Sequence, residues 1–209
     1  QLGITHVVMH HADIAPEEGW MSTLLAEQRR HGADIVSCVV PIKDPRGLSS
    51  TAVMDEKTRI MRRLTIKECL QLPKTFTAEQ AGFPDHMLLV NSGLWVCDFT
   101  KPWVEDHCFT IRDKMLKHPT TGEYAAMCFS EDWIASVDWH RKGLKVMATN
   151  AVQLKHVGSL EFPNYEAWGH WDSDQAKGDT FDPPDAENYF PVPHVEPSAK
   201  QEEELACKM

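Results

Sequence analysis

From Ile4 to Met9 the chain is a near-continuous apolar run that stops at His10-His11-Ala12-Asp13. Such a run predicts a strand covered on both faces and ending in polar side chains. The pattern then changes to helical spacing. Trp20, Met21, Leu24 and Leu25 form one apolar stripe, with Pro16 suited to the first turn and Glu17 and Glu18 to the positive end of the dipole. Arg29, Arg30 and His31 suit the last turn, and Gly32 suits a left-handed stop. Asp34 to Val40 reads as a second buried strand. The three elements predict a strand–helix–strand crossover, normally parallel and right-handed.

Beyond Val40 the pattern breaks. Pro41 to Ser50 (PIKDPRGLSS) is a loop by composition, with Lys43 and Arg46 as its cations. Thr51–Met54 and Arg59–Arg63 are spaced to pair as a hairpin, and Ile66 to Leu70 predicts a short helix. His86–Val90 and Leu94–Phe99 read as strand segments interrupted by Asn91-Ser92-Gly93, where the glycine signals a bulge or a close approach. A second capped helix follows. Ser130 is its N-cap, Glu131 and Asp132 its first turn, Trp133, Ile134 and Val137 its buried face, and Gly143 its stop. Leu144–Thr149 resumes as a strand, and His156-Val157-Gly158 comes after it.

Charge sharpens the domain picture. The net charge is −10, and residues 172–209 hold ten acids against three lysines, which is −7 of it. That stretch is rich in Pro, Asp and Glu and lacks periodicity. The expectation is a folded body over residues 1–171 and an extended acidic, Pro-rich tail over 172–209, pinned in part by Phe181, Tyr189 and Phe190. A nearly neutral body gives no basic field for non-specific nucleic-acid binding and leaves open only a local patch. No apolar run reaches the length of a membrane span. The six cysteines form no C-x-x-C pair and several sit in apolar strands, the pattern of reduced thiols in a cytoplasmic protein.

Three clusters carry candidate chemistry: His11 with Asp13, Glu131 with Asp132, and His156 before Gly158. Imidazole and carboxylate ligands together with diphosphate oxygens suit a divalent cation, Mn²⁺ first and Mg²⁺ as the alternative. A nearby carboxylate would take a proton from a hydroxyl. Each cluster has a plain structural alternative. The histidines could be hydrogen-bonding residues at strand ends and turns, and Glu131 and Asp132 could simply complement the helix dipole. Lys43 and Arg46 could be solvated loop charges, and Trp95, Trp133 and Trp139 core residues.

Taken in order, His11-Ala12-Asp13, the strand Asp34–Val40, Asn91-Ser92-Gly93-Leu94-Trp95-Val96, Ser130-Glu131-Asp132 and His156-Val157-Gly158 resemble GT-A-fold glycosyltransferases of the family 2-like kind, over roughly residues 3 to 160. The resemblance implies an α/β fold with a Rossmann-like mixed, largely parallel sheet flanked by helices. It implies transfer of a sugar from a nucleotide-diphosphate donor to a hydroxyl acceptor. Asp13 takes the second position of that family's Asp-x-Asp metal motif, and His11 stands where its first acid is usual. His156 completes the metal set. Asp132 corresponds to the general base, with Glu131 beside it. Lys43, Arg46, Asn91 and Gly93 fall on the donor side, and Trp95 and Trp133 on the acceptor side. Such domains begin with a nucleotide-binding strand and helix upstream of the metal motif. Almost nothing precedes Ile4 here, so a partner chain or a missing segment would complete the nucleotide site. Two other readings stay open: a non-catalytic sugar-nucleotide-binding or scaffold domain of the same fold, and a hydrolase using His10, His11, Asp13 and His156 around a metal.

Overall fold

A computed structural model describes residues 3–57, 61–110, 112–117, 121–171 and 190–191. In chain order its elements begin with β1 (His6–His10), β2 (Ile14–Pro16), α1 (Trp20–His31), β3 (Ile35–Cys38), β4 (Leu48–Asp55) and β5 (Met61–Thr65). Then come α2 (Ile66–Cys69), β6 (Thr75–Phe76), β7 (His86–Leu89), β8 (Leu94–Asp98) and a 3₁₀ turn over Pro102–Asp106. The remainder are β9 (Arg112–Lys117), β10 (Tyr124–Phe129), α3 (Glu131–Arg141), β11 (Val146–Thr149), β12 (Leu154–Val157), β13 (Glu161–Pro163) and β14 (Phe190–Pro191). The chain divides into two compact units, one from Gln1–Arg112 and Phe129–Pro184, the other from Asp113–Cys128 and Asp185–Met209.

The first unit is a mixed α/β fold. Its central sheet has the order β1-β8-β3-β11-β6, and two three-stranded sheets, β13-β12-β2 and β5-β4-β7, accompany it. β3 and β11 pair in parallel, whereas β1 with β8, β8 with β3, and β11 with β6 pair antiparallel. The expectation of a largely parallel sheet therefore needs correction, since most neighbouring strands are antiparallel. β1, β3 and β11 do share one direction, but β8 is inserted between β1 and β3. The reason is burial: Leu94 to Cys97 are buried, whereas no residue of β1 is. The more apolar strand takes the two-sided position, and β1 becomes an edge strand rather than one covered on both faces.

α1 ends as its sequence predicts, with Gly32 left-handed at φ 55° and its N–H bonded to the Arg29 carbonyl at 3.2 Å. Its start differs. Pro16 is drawn into β2, where it pairs with Leu154, and the helix begins four residues later, after Gly19. Glu17 and Glu18 thus precede the first turn, and Met21 of the predicted stripe is 48% exposed. α2 carries a capping box in which Thr65 and Glu68 satisfy one another's backbone N–H groups. α3 starts after Ser130, as expected. β4 and β5 form the predicted hairpin.

One apolar cluster joins Ile35, Val53, Leu88, Trp95 and Trp139 on the α3 side of the central sheet. Another joins Leu24, Val36, Leu94, Val96 and Met147 on the α1 side. Each fully buried Leu or Ile contributes about 1.5–3 kcal/mol against exposure. Cys38, Cys69 and Cys97 are buried and unpaired, and burial pushes the Cys69 thiol up to about 12. Among the described residues no helix is long and apolar enough to cross a membrane.

The second unit holds a three-stranded sheet, β10-β9-β14, in which Phe190 pairs with Lys117. The rest of the acidic 172–209 stretch, with Phe181 and Tyr189, lies outside the described residues.

Candidate functional site

The strand directions bring the end of β1, the end of β3 and the start of β8 to one edge of the central sheet. Beside it, β2 pairs antiparallel with β12 so that Ile14 faces His156. Asp13 lies one residue beyond that pair, and its carbonyl accepts the Val157 N–H at 2.8 Å. The ladder therefore sets Asp13 and His156 side by side, with His156 Nε2 3.2 Å from Asp13 Oδ2. Lys43, in the loop after β3, places its Nζ 2.6 Å from the same oxygen. The hydrogen bond from Lys43 is the chief reason the Asp13 carboxyl lies below its usual range. Burial opposes that shift, and His156 adds to it.

The Pro41 carbonyl decides the state of His156. It lies 2.7 Å from His156 Nδ1, and a carbonyl only accepts, so Nδ1 carries a hydrogen. In the neutral ring Nε2 then holds a lone pair, and it faces a carboxylate oxygen. Two acceptors this close call for a cation between them, either a proton on Nε2 or a metal ion. A histidine that donates its far nitrogen to a backbone carbonyl is held in one orientation, the geometry a metal-ligating histidine would need and equally that of a hydrogen-bonded His–Asp pair. Two such ligands suit a hard divalent cation whose remaining positions go to phosphate and water. Among the described residues no group of three or more His, Cys, Asp or Glu side chains is arranged to hold a metal.

Asp132 is the centre of a second cluster. Its Oδ1 accepts the Ser92 N–H at 3.2 Å and also the Ser92 hydroxyl, and its Oδ2 accepts Asn91 Nδ2 at 3.0 Å. Desolvation raises the Asp132 carboxyl above its ordinary value and Glu131 adds to this, while the Ser92 hydrogen bonds and His11 pull the other way. The two clusters share a backbone connection. Gly93 N–H donates to Asn91 Oδ1 at 2.6 Å, and the Gly93 carbonyl accepts the His11 N–H at 2.7 Å. Gly93 has no room for a side chain: a Cβ there would lie 2.5 Å from Ile14 Cδ1 and would also strike Asn91 Oδ1.

The structure thus joins Asp13, His156 and Lys43, and separately Asp132, Asn91, Gly93 and the His11 backbone. The His11 ring faces Gly93, with Nδ1 3.5 Å from where a Cβ would stand. Glu131 stands beside Asp132 in the first turn of α3. Arg46 turns back on its own loop, donating from Nη2 to Asp44 at 2.7 Å and lying 4.9 Å from the Trp171 ring. Trp95 and Trp133 are core residues, 4% and 7% exposed, and Trp133 donates to the Ser50 carbonyl. Neither offers an open face for a sugar. His10 donates to the Ile14 carbonyl at 2.7 Å and packs on Trp20.

Sequence reasoning missed Ser92, the Pro41 carbonyl and Asn164. Ser92 lay inside the Asn91–Gly93 break, whose interruption of a strand was its only signal. Asn164 is buried. Its amide donates to the Val39 and Val152 carbonyls at 3.0 Å each, and its oxygen accepts the Leu154 N–H at 2.9 Å. Nothing local to Glu161-Phe162-Pro163-Asn164-Tyr165 marks that role. Comparison with protein-family models, with curated proteins and with solved structures finds no match.

Proposed function

We propose that the chain is a metal-dependent glycosyltransferase of GT-A type, moving a sugar from a nucleotide diphosphate to a hydroxyl acceptor. The observation that carries this reading is the pairing of Asp13 with His156, whose Nδ1 is committed to the Pro41 carbonyl. A divalent cation bound there would neutralise the departing diphosphate. Asp13 and His156 would hold it, Mn²⁺ first and Mg²⁺ as the alternative. Lys43 adds a positive charge on the same side. Asp132 accepts the proton of the acceptor hydroxyl. Its raised carboxyl makes it a stronger base than an exposed aspartate, and Asn91 and Ser92 keep it in one orientation. Glu131 helps to position the acceptor. His11, the remaining candidate for the metal set, is tied by its backbone N–H to the Gly93 carbonyl.

A non-catalytic domain of the same fold is the second reading, and one observation favours it: Lys43 already neutralises Asp13. The hydrolase reading loses support because His10 is committed to the Ile14 carbonyl. Calorimetric titration with UDP-, GDP- and dTDP-sugars, with and without Mn²⁺, separates the readings. Binding that requires Mn²⁺ supports the transferase. Equal binding in its absence favours a non-catalytic sugar-nucleotide-binding domain, and no binding of any donor would overturn the transferase.

A further inference from the structure

Lys43 and His156 compete for one oxygen. Asp13 Oδ2 lies 2.6 Å from Lys43 Nζ and 3.2 Å from His156 Nε2, so a divalent cation bridging Asp13 and His156 would meet the ammonium at close range. Two like charges so placed on one carboxylate oxygen repel strongly. We propose that Lys43 is a displaceable counter-ion, holding the Asp13 carboxylate until a divalent cation arrives and then turning to the diphosphate. The inference rests on the metal reading of Asp13 and His156 given above, and adds a hand-over to it.

The surroundings of Lys43 allow its side chain to move while its backbone stays. The loop is tied by Ile42 N–H to the Leu48 carbonyl at 2.8 Å and by Asp44 N–H to the Ile42 carbonyl at 2.9 Å. The Pro41 carbonyl therefore keeps its hold on His156 when the lysine swings. The lysine side chain is 34% exposed and reaches Asp13 across Gly158. A Cβ at Gly158 would lie 2.9 Å from Lys43 Cδ and 3.9 Å from Cγ, with the Leu160 carbonyl at 3.8 Å. The missing side chain at Gly158 is the groove in which the lysine stem lies. An alanine there displaces the stem, which is flexible, and keeps the charge.

The test measures Mn²⁺ binding to the full chain by electron paramagnetic resonance for the parent, Lys43→Met, Gly158→Ala and Asp13→Ala, with circular dichroism confirming the fold. Lys43→Met and Gly158→Ala should bind Mn²⁺ roughly 3- to 10-fold more tightly than the parent, the scale of one part-exposed ion pair and its repulsion. Asp13→Ala should lose binding. Calorimetry with manganese pyrophosphate should then show roughly 5-fold weaker binding to Lys43→Met and parental binding to Gly158→Ala. Unchanged or weaker Mn²⁺ binding in Lys43→Met, with Asp13→Ala still defective, overturns the counter-ion role and leaves the metal site standing. Mn²⁺ binding that survives Asp13→Ala, or that is absent from every variant, overturns the metal site itself.

Discussion

Ser92 donates to Asp132 Oδ1 from both its backbone N–H and its hydroxyl, across forty residues of sequence. That double contact fixes the α3 carboxylate against the turn that opens β8. It also counters the desolvation that raises the Asp132 carboxyl.

A pH dependence follows from this pair. The folded-state value of Asp132 lies above the unfolded one, so the fold favours the protonated carboxyl. That stability is complete below the unfolded value and is lost as pH rises through the folded value. Ser92→Ala removes the hydroxyl donor that favours the carboxylate and keeps the backbone N–H, so Asp132 should move further up and the loss should widen. The acid limb of kcat/KM should shift to higher pH in Ser92→Ala. A limb that stays in place or moves down would remove Asp132 from the role of base.

Asp13 and Asp132 should separate binding from chemistry. Asp13→Ala should abolish metal-dependent donor binding in calorimetry. Asp132→Asn should leave donor binding within about twofold and lower kcat by about 10²–10⁴, the range of general-base catalysis. Equal loss of both properties in both variants would contradict the division.

Gly93 is the tightest position of the site. Gly93→Ala puts a methyl against Ile14 and Asn91, and so displaces the amide that orients Asp132. Overpacking of this kind costs about 1–3 kcal/mol. Urea denaturation should show that loss, with a fall in kcat larger than the rise in KM.

Asn164 should matter although it touches no candidate ligand. Asn164→Ala leaves two buried carbonyls and one buried N–H without partners, each such group costing about 1–3 kcal/mol before water relieves it. A drop of about 3 kcal/mol in denaturant unfolding is expected. Asn164→Asp, which sets a buried carboxylate oxygen against those two carbonyls, should cost at least as much as the alanine variant at neutral pH.

The ring cluster of Trp95, Trp103 and Trp139 predicts the opposite behaviour. All three indole nitrogens are buried, with no hydrogen-bond partner among the described residues. Trp103→Phe removes an unsatisfied donor while keeping an aromatic ring, so thermal unfolding should show a change within about 1 kcal/mol. Trp103→Ala should cost about 3–5 kcal/mol because it leaves a cavity.

Local chemistry made much of this protein legible in its sequence. The apolar stripe and Gly32 mark α1 and its end, Ser130 and Gly143 bracket α3, and the Asn91–Gly93 break separates β7 from β8. These signals lie within a few residues of what they determine, through helical periodicity, capping and the conformational range of glycine. Tertiary structure decided the rest. Pro16 suits a helix start, yet β12 draws it into a ladder. β1 is apolar enough for a central strand, yet β8 is more fully buried and takes that place. His156 reaches Asp13 across 143 residues of sequence only because β2 and β12 pair in one register, and a slip of one residue would turn His156 to the opposite face. Residue types alone carry no such register. His11 and Asp13 are two residues apart, yet the strand pairs on either side tie the His11 N–H to the Gly93 carbonyl and set Asp13 beside His156.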